Sequence, residues 1–450
     1  MSFTRFPYLP HSEKDIREML STIGVDSIEE LFCDIPKDVA LERKLNLQDH
    51  ASEPEVFQRL SDLSSQNVDA ISYLGAGCYD HLIPSVVSFI TSRSEFLTAY
   101  TPYQAEASQG ILQAMFEYQT LVCQLTGLDV SNASLYDGAT ATAEGCSMAI
   151  NSVRNSDTIL YSSTIYPSTV AVLKTFFSDI SVTLECVDAS NGTLTIKDIE
   201  PHLRAGVAAL VVQSPNMFGC IEDYAGVSEA LGQFGSLLIL SVNPISLAIL
   251  RSPRDWGVDI AVGSGQPCGM APYFGGPSVG FMAVREPLVR KLPGRIIGET
   301  VDANGERAYV LTLQAREQHI KRERATSNIC TNQALAALSM AVYLVSVGPV
   351  GLRDVAEQNV QKSHYLYDRI IEIGRIRPLF PNPFFNEFAI ELNKPAKTVM
   401  DDMLQEGFLA GVPLDGEYSG HGQGLLIAVT EKRTRNELDN FARALERVLS

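Results

Sequence analysis

The chain has 450 residues, 45% of them hydrophobic and 20% charged, the balance of a soluble globular protein of two or three structural units. A formal net charge of −18 and a pI near 4.9 repel a phosphate backbone, which excludes nucleic acid and anionic membrane surfaces as natural partners. The first twenty residues contain no apolar leader core, and no uninterrupted apolar run is long enough to span a bilayer, so a cytoplasmic protein is expected. Eight widely scattered cysteines form neither CxxC pairs nor zinc-ligand spacings with the seven histidines. They are expected to be small reduced core residues, with no metal bound.

Residues 1–60 read as an arm of short helices. Ser12 is placed to cap a helix through Ile23, with Ile16, Met19 and Leu20 on one face and Gly24 as the stop. A second turn follows Asp26 or Ser27, and the charged stretch 37–55 reads as a solvated connector. Residues 61–330 then carry the pattern of a large α/β domain. Gly75-Ala76-Gly77 marks a tight turn or a ligand loop. Tyr100-Thr101-Pro102-Tyr103-Gln104, with Glu106, precedes a long helix that ends before Gly127; the two tyrosines could be core aromatics or the walls of a site.

Asp137-Gly138-Ala139-Thr140 opens a helix rich in small residues. Free N–H groups at such a start suit a phosphate, while Asp137 suits a simple cap. Apolar runs at 158–162, 182–187, 207–213, 237–242, 259–262 and 279–284 are continuous rather than alternating. They predict a largely parallel sheet covered on both faces. The connection 285–332 holds Arg295, Arg316, His319, Lys321, Arg322 and Arg324, a basic island that suits an interface or an internal ion-pair cluster. Helices near 333–347 and 352–373 lead into a smaller C-terminal α+β domain, 331–450. Its strands are expected near 387–392, 408–412 and 425–429, and its last helix is opened by the capping box Thr434-x-x-Glu437.

The Gly/Pro-rich crossover between the last two strands of the large domain contains Gln266, Pro267 and Gly275-Gly276-Pro277, and no lysine occurs between Lys197 and Lys291. This layout suggests the aspartate-aminotransferase-like, fold type I pyridoxal-phosphate architecture. The local sequences Arg5-Phe6-x-Tyr8-Leu9-Pro10-His11, LTAYTPYQAEASQGILQAMFEYQT, SLYDGATATAE, DWGVDIAVGSGQP and LTLQAREQHIKRERATSNICTNQAL closely resemble the glycine cleavage system P-protein, in its separate α-subunit branch. The resemblance runs from the first ten residues to the last helix.

The resemblance implies a two-gene enzyme that decarboxylates glycine and passes the aminomethyl group to the lipoyl arm of the H-protein. Its β subunit carries pyridoxal phosphate on a lysine, and the two chains form an α2β2 heterotetramer. Fold type I chemistry needs a Schiff-base lysine and a carboxylate on the ring nitrogen. Here the lysine position falls on Gln266 or Pro267, the ring-nitrogen position on Asn243, and the family's histidine before proline is replaced by Tyr166-Pro167. Gly138, Ala139, Thr140, Tyr166, Asn243, Gln266 and Pro267 are therefore expected to line a vestigial pocket with no covalent cofactor. Tyr100, Thr101, Pro102, Tyr103, Gln104 and Glu106 are expected to line an active site shared with the β subunit. The alternative expectation is a stand-alone pseudoenzyme acting as a binding or regulatory protein.

Overall fold

The computed structural model describes residues 8, 10–41, 43, 45–189, 191–416 and 422–450. Most of the Arg5–His11 motif, and Glu42 and Lys44 of the expected connector, lie outside the described residues. All six apolar runs expected as strands join one seven-stranded sheet in the order Val130–Ser131, Gly280–Val284, Ile260–Ser264, Leu237–Val242, Val207–Ser214, Thr158–Ser162, Thr183–Val187. The last five run parallel; Gly280–Val284 is antiparallel to Ile260–Ser264, and Val130–Ser131 is antiparallel to Gly280–Val284. The central strand explains the continuous apolar pattern, because Val207 to Val212 are all at most 1% exposed. Burying each such side chain on both faces stabilises the fold by about 1.5–3 kcal/mol.

One face of the sheet is covered by the small-residue helix Gly138–Ser152, whose Ala141, Cys146 and Ala149 pack with Ile159, Val211 and Ile239. The other face packs with Leu112, Met115 and Val122 of helix Gln109–Thr126 and with Ala337 and Met340 of helix Ala334–Ile371. That long helix is two helices end to end, since Gly348 (φ 61°, ψ −179°) and Pro349 interrupt it where two helices were expected. By length and composition alone its apolar stretch could cross a membrane, contrary to the sequence expectation. Its Ala337, Met340 and Tyr343 are instead part of the main core.

Within 285–332, where only a basic connection was expected, Ile296–Val301 and Arg307–Thr312 form an antiparallel hairpin. Two glutamines of helix Gln109–Thr126 dock it. Gln119 accepts from the Ile297 N–H (2.9 Å) and donates to its C=O (3.0 Å), and Gln109 pairs with both backbone groups of Tyr309 in the same way (2.9 and 2.8 Å).

The C-terminal sheet runs Arg377–Pro378, Glu387–Glu391, Gly424–Ala428, Val412–Pro413, all antiparallel. The expected strand at 408–412 is broken, because Gly411 (φ 145°) passes so close that a Cβ would lie 2.3 Å from the Leu426 carbonyl. Phe408–Leu409 pairs instead with Ile71–Ser72. The final helix Arg435–Leu449 starts at Thr434, which forms the expected capping box with Glu437.

Residues 1–68 form a unit separate from Asp69–Ser450. Helix Glu13–Ile23 has the Ser12 capping box and a left-handed Gly24, as expected. The expected connector contains the start of an unforeseen helix, Glu53–Ser64, capped by Ser52 and Glu55. None of the residues of either helix is buried. The cysteines depart from expectation too: Cys146, Cys220 and Cys268 are buried, but Cys33, Cys78, Cys186 and Cys330 are exposed.

Candidate functional site

Strands Leu237–Val242 and Ile260–Ser264 end in Asn243 and in the turn that carries Gln266 and Pro267, at the carboxyl edge where open α/β sheets place ligand sites. Helix Gly138–Ser152 starts against this edge. A Cβ on Gly138 would lie 2.9 Å from the Ser264 amide nitrogen, so only glycine allows the approach. The Tyr166 N–H donates to the Gln213 side chain (3.2 Å) at the end of the next strand but one. The structure thus brings Gly138, Tyr166, Asn243, Gln266 and Pro267 to one rim, with Ala139 and Thr140 in the helix's first turn.

Several of the rim's polar groups are already engaged. Gln266, 4% exposed, accepts from the Tyr79 N–H (2.9 Å) and donates to the C=O groups of Tyr79 (2.9 Å) and Met270 (2.8 Å). Its amide therefore clamps the 75–81 loop to the crossover, and it has no amine to form a Schiff base. At the helix start, Asp137 accepts from the Thr140 N–H (2.8 Å) and hydroxyl (3.0 Å). A carboxylate cap thus takes the Thr140 donors and opposes the charge that a phosphate would bring. Asn243 accepts from the Ile245 N–H (3.0 Å), and its Nδ2 is buried without a partner. A neutral amide cannot balance a protonated ring nitrogen. The residues present do not fit a covalently attached pyridoxal phosphate.

One residue that sequence reasoning missed completes this region. Glu387, 1% exposed, reaches from the C-terminal sheet to accept from the Ala76 N–H (2.6 Å) and the Tyr79 hydroxyl (3.0 Å), which also lies 3.0 Å from the Tyr166 hydroxyl. Burial pushes the Glu387 carboxyl up to about 7, against the lowering effect of its two hydrogen bonds. Gly75 is required here, because a Cβ would lie 1.9 Å from Glu387 Oε1. The glycine-rich 75–81 loop is therefore a fastened turn, held by Gln266 of the large sheet and Glu387 of the small one. The Gly75-Ala76-Gly77 run was its signal in the sequence.

The loop before helix Gln109–Thr126 forms a second locus. Tyr100 and Tyr103 are 80% and 58% exposed, so neither is a core aromatic. The Tyr103 hydroxyl accepts from Arg295 (3.2 Å), whose guanidinium carbon lies 5.4 Å from the centre of the Tyr103 ring, and Asn332 Oδ1 lies 3.5 Å from the same guanidinium. Tyr100, Thr101 and Pro102 line a cavity of about 240 Å3 together with Arg295 and Asn332. Gln104 and Glu106 are exposed and outside it.

The basic island is not an internal ion-pair cluster as a whole. Arg295 is 5% exposed and bonds to the neutral Tyr103 and Asn332. Arg316 donates to the C=O groups of Leu292 and of Gly294 (the latter at 2.6 Å), with burial lowering its pKa. Among the described residues, the island's contacts to carboxylates are the looser Arg324–Glu323 ion pair (3.9 Å) and the approach of the His319 ring to Glu317 (3.8 Å).

The sheet order and its two helical faces, with the smaller α+β unit behind the long helix, define a fold type I protein of the pyridoxal-phosphate-dependent class. An alanine–glyoxylate aminotransferase from Nostoc sp. shares this fold at 16% identity, with a TM-score of 0.63 over 92% of this chain and 100% of that one. The chain belongs to the glycine cleavage system P-protein family, whose model matches residues 6–445. It is 48% identical over 441 residues to a probable glycine dehydrogenase (decarboxylating) subunit 1 from Carboxydothermus hydrogenoformans, covering 97% of this chain and 99% of that protein. A crystal structure of glycine decarboxylase (P-protein) of the glycine cleavage system, in inhibitor-bound form, superposes with a TM-score of 0.91 at 42% identity, covering 98% of this chain and 100% of that one.

Proposed function

We propose that this chain is the cofactor-free α subunit of a heteromeric, cytoplasmic glycine decarboxylase. Pyridoxal phosphate sits on a paralogous β subunit, and the aminomethyl group leaves on the lipoyl arm of an H-protein, within an α2β2 assembly. The carrying observation is that the lysine position falls on Gln266 or Pro267, neither able to form a Schiff base, with the Gln266 amide buried and triply bonded. The family membership and the matching subunit 1 relatives support the assignment over a stand-alone pseudoenzyme.

The cofactor of the partner supplies the electron sink that makes loss of carbon dioxide feasible. This chain's contribution is to bind and to exclude water. Loop 100–106 presents the hydroxyls of Tyr100, Thr101 and Tyr103 and the Gln104 amide toward a small zwitterion, with Pro102 buried behind them and Glu106 at the loop's end. Aromatic walls that desolvate a carboxylate favour its departure as a neutral gas. The Gln266 and Glu387 fastenings hold the 75–81 loop rigid, so this chain keeps the architecture of a cofactor site as a scaffold.

The test is co-purification with a β subunit from the same source, with glycine–carbon dioxide exchange measured on each chain and on the mixture. Exchange by the β subunit that rises at least about tenfold on adding this chain is expected. Exchange by this chain alone, or no gain on mixing, would overturn the assignment.

A further inference from the structure

The cavity beside loop 100–106 has a charge imbalance that the proposed function leaves unexplained. It is lined by apolar side chains such as Ile111, Met115, Leu311 and Leu338, by Thr101 and Asn332, and by a single charged residue, Arg295. Arg295 is 5% exposed, and its hydrogen-bond partners, the Tyr103 hydroxyl and the Asn332 amide oxygen, are both neutral. A buried cation left without a counter-charge is costly, and buried charges are ordinarily paired.

A second feature gives the cavity the same sign. The helix that begins at Ala334 runs unbroken to the Gly348 interruption and has no side-chain cap, and Ala334 and Leu335 line the cavity. Its uncapped N–H groups and the positive end of its dipole therefore lie at the cavity wall. On the far side, Arg295 and Tyr103 also wall a hollow of about 480 Å3 that contains Glu317, His319, Arg322 and Glu323. There Glu317 lies 3.8 Å from His319 and Glu323 3.9 Å from Arg324, and among the described residues no carboxylate pairs with Arg295.

We propose that this cavity is a binding site for a small carboxylate anion, with Arg295 as its charge partner. A planar guanidinium receives a carboxylate with two parallel hydrogen bonds, and the Thr101 hydroxyl adds a neutral donor, while the Asn332 amide N–H groups are taken by the Ala133 C=O (3.0 Å) and the Ser134 hydroxyl (3.1 Å). The cavity has no acidic residue to receive an ammonium group, so a simple carboxylate suits it at least as well as an amino acid. The site is a property of this chain's own residues and does not rest on which reaction the assembled enzyme performs.

Acetate is the probe, with acetamide as its uncharged isostere, methylammonium as its charge opposite, and inorganic phosphate as the competing anion. Hydrogen–deuterium exchange is followed by mass spectrometry on peptides covering 96–103 and 331–338, in the chain alone and paired with a β subunit. This readout is confined to this chain, so it is independent of any glycine turnover. Acetate is expected to slow exchange of both peptides by at least about threefold, acetamide and methylammonium to leave it unchanged, and Arg295→Gln to abolish the effect. The acetate–acetamide contrast needs only the natural chain, so a poorly folding variant does not remove the test. Equal protection by acetamide, protection by phosphate without acetate, or protection that survives Arg295→Gln would overturn the proposal. Loss of the acetate effect on pairing would overturn it as well, since a partner's side chain would then be the counter-charge.

Discussion

Replacing Gln266 by alanine removes three hydrogen bonds at once, and the structure fixes where the loss is felt. The Tyr79 N–H, the Tyr79 C=O and the Met270 C=O each lose their partner in a region where Gln266 is 4% exposed. A buried group left unsatisfied costs about 1–3 kcal/mol, so the low end for three groups is about 3 kcal/mol. Because the 75–81 loop remains fastened by Glu387 at Ala76 and Tyr79, the expected consequence is local opening rather than global unfolding. At 1.4 kcal/mol per decade, 3 kcal/mol corresponds to amide exchange about a hundredfold faster in peptides spanning 75–81. Peptides of the central strands, such as Val207–Ser214, serve as the internal control and are expected to be unchanged. Exchange at 75–81 equal to that of the unmodified chain would refute the reading of Gln266 as a structural clamp.

Three further outcomes follow from the same geometry. The Glu387 carboxyl is raised from 4.5 to about 7 in the folded chain, so the folded state holds its proton more tightly than the unfolded one. Its contribution is therefore present below about pH 4.5 and is lost as pH rises to about 7, amounting to about 3 kcal/mol; Glu387→Gln should flatten the fall in Tm between pH 5 and pH 8, and an unchanged slope would refute it. In the assembled enzyme, Tyr103→Phe and Gln104→Ala are each expected to leave subunit pairing intact and to cut glycine decarboxylation at least about tenfold, or 1.4 kcal/mol; full activity in both would confine loop 100–106 to scaffolding. Apolar residues such as Phe32, Phe57, Leu60, Tyr100 and Phe274 are exposed in the single chain, so size-exclusion chromatography should show self-association without the partner, given that obligate interfaces bury about 2,000 Å2 or more; a monodisperse monomer at micromolar concentration would contradict this.

The large sheet was legible because its central strands are buried on both faces, so runs such as 207–213 and 237–242 carry no solvent-facing alternation to confuse them. The hairpin Ile296–Val301 with Arg307–Thr312 was not, because its exposed Glu299, Thr300 and Arg307 dilute the apolar signal and its docking rests on Gln109 and Gln119. Helix Glu53–Ser64 was missed although both its apolar positions Val56, Phe57, Leu60 and Leu63 and its Ser52 and Glu55 cap were present in the sequence, because its start falls in the charged stretch read as a connector. At the site, the missing lysine and the Asp137 cap could be read locally, since each acts within a few residues of its own position. The Glu387–Ala76 bond spans 311 residues and the Arg295–Tyr103 bond 192, and such pairs exist only once the sheets are assembled. Arg295 was visible only as one of six basic residues, with nothing in the sequence to mark it as the one buried beside a cavity.

The central claim is that the cofactor belongs to the partner and that this chain keeps the site's architecture without its chemistry. Borohydride reduction of the assembled enzyme in the presence of pyridoxal phosphate, followed by digestion and peptide mapping of both chains, tests it most directly. The account predicts a stoichiometric pyridoxyl-lysine peptide from the β subunit and none from this chain, whose sequence holds no lysine between Lys197 and Lys291. A stoichiometric pyridoxyl-lysine anywhere in this chain would contradict it.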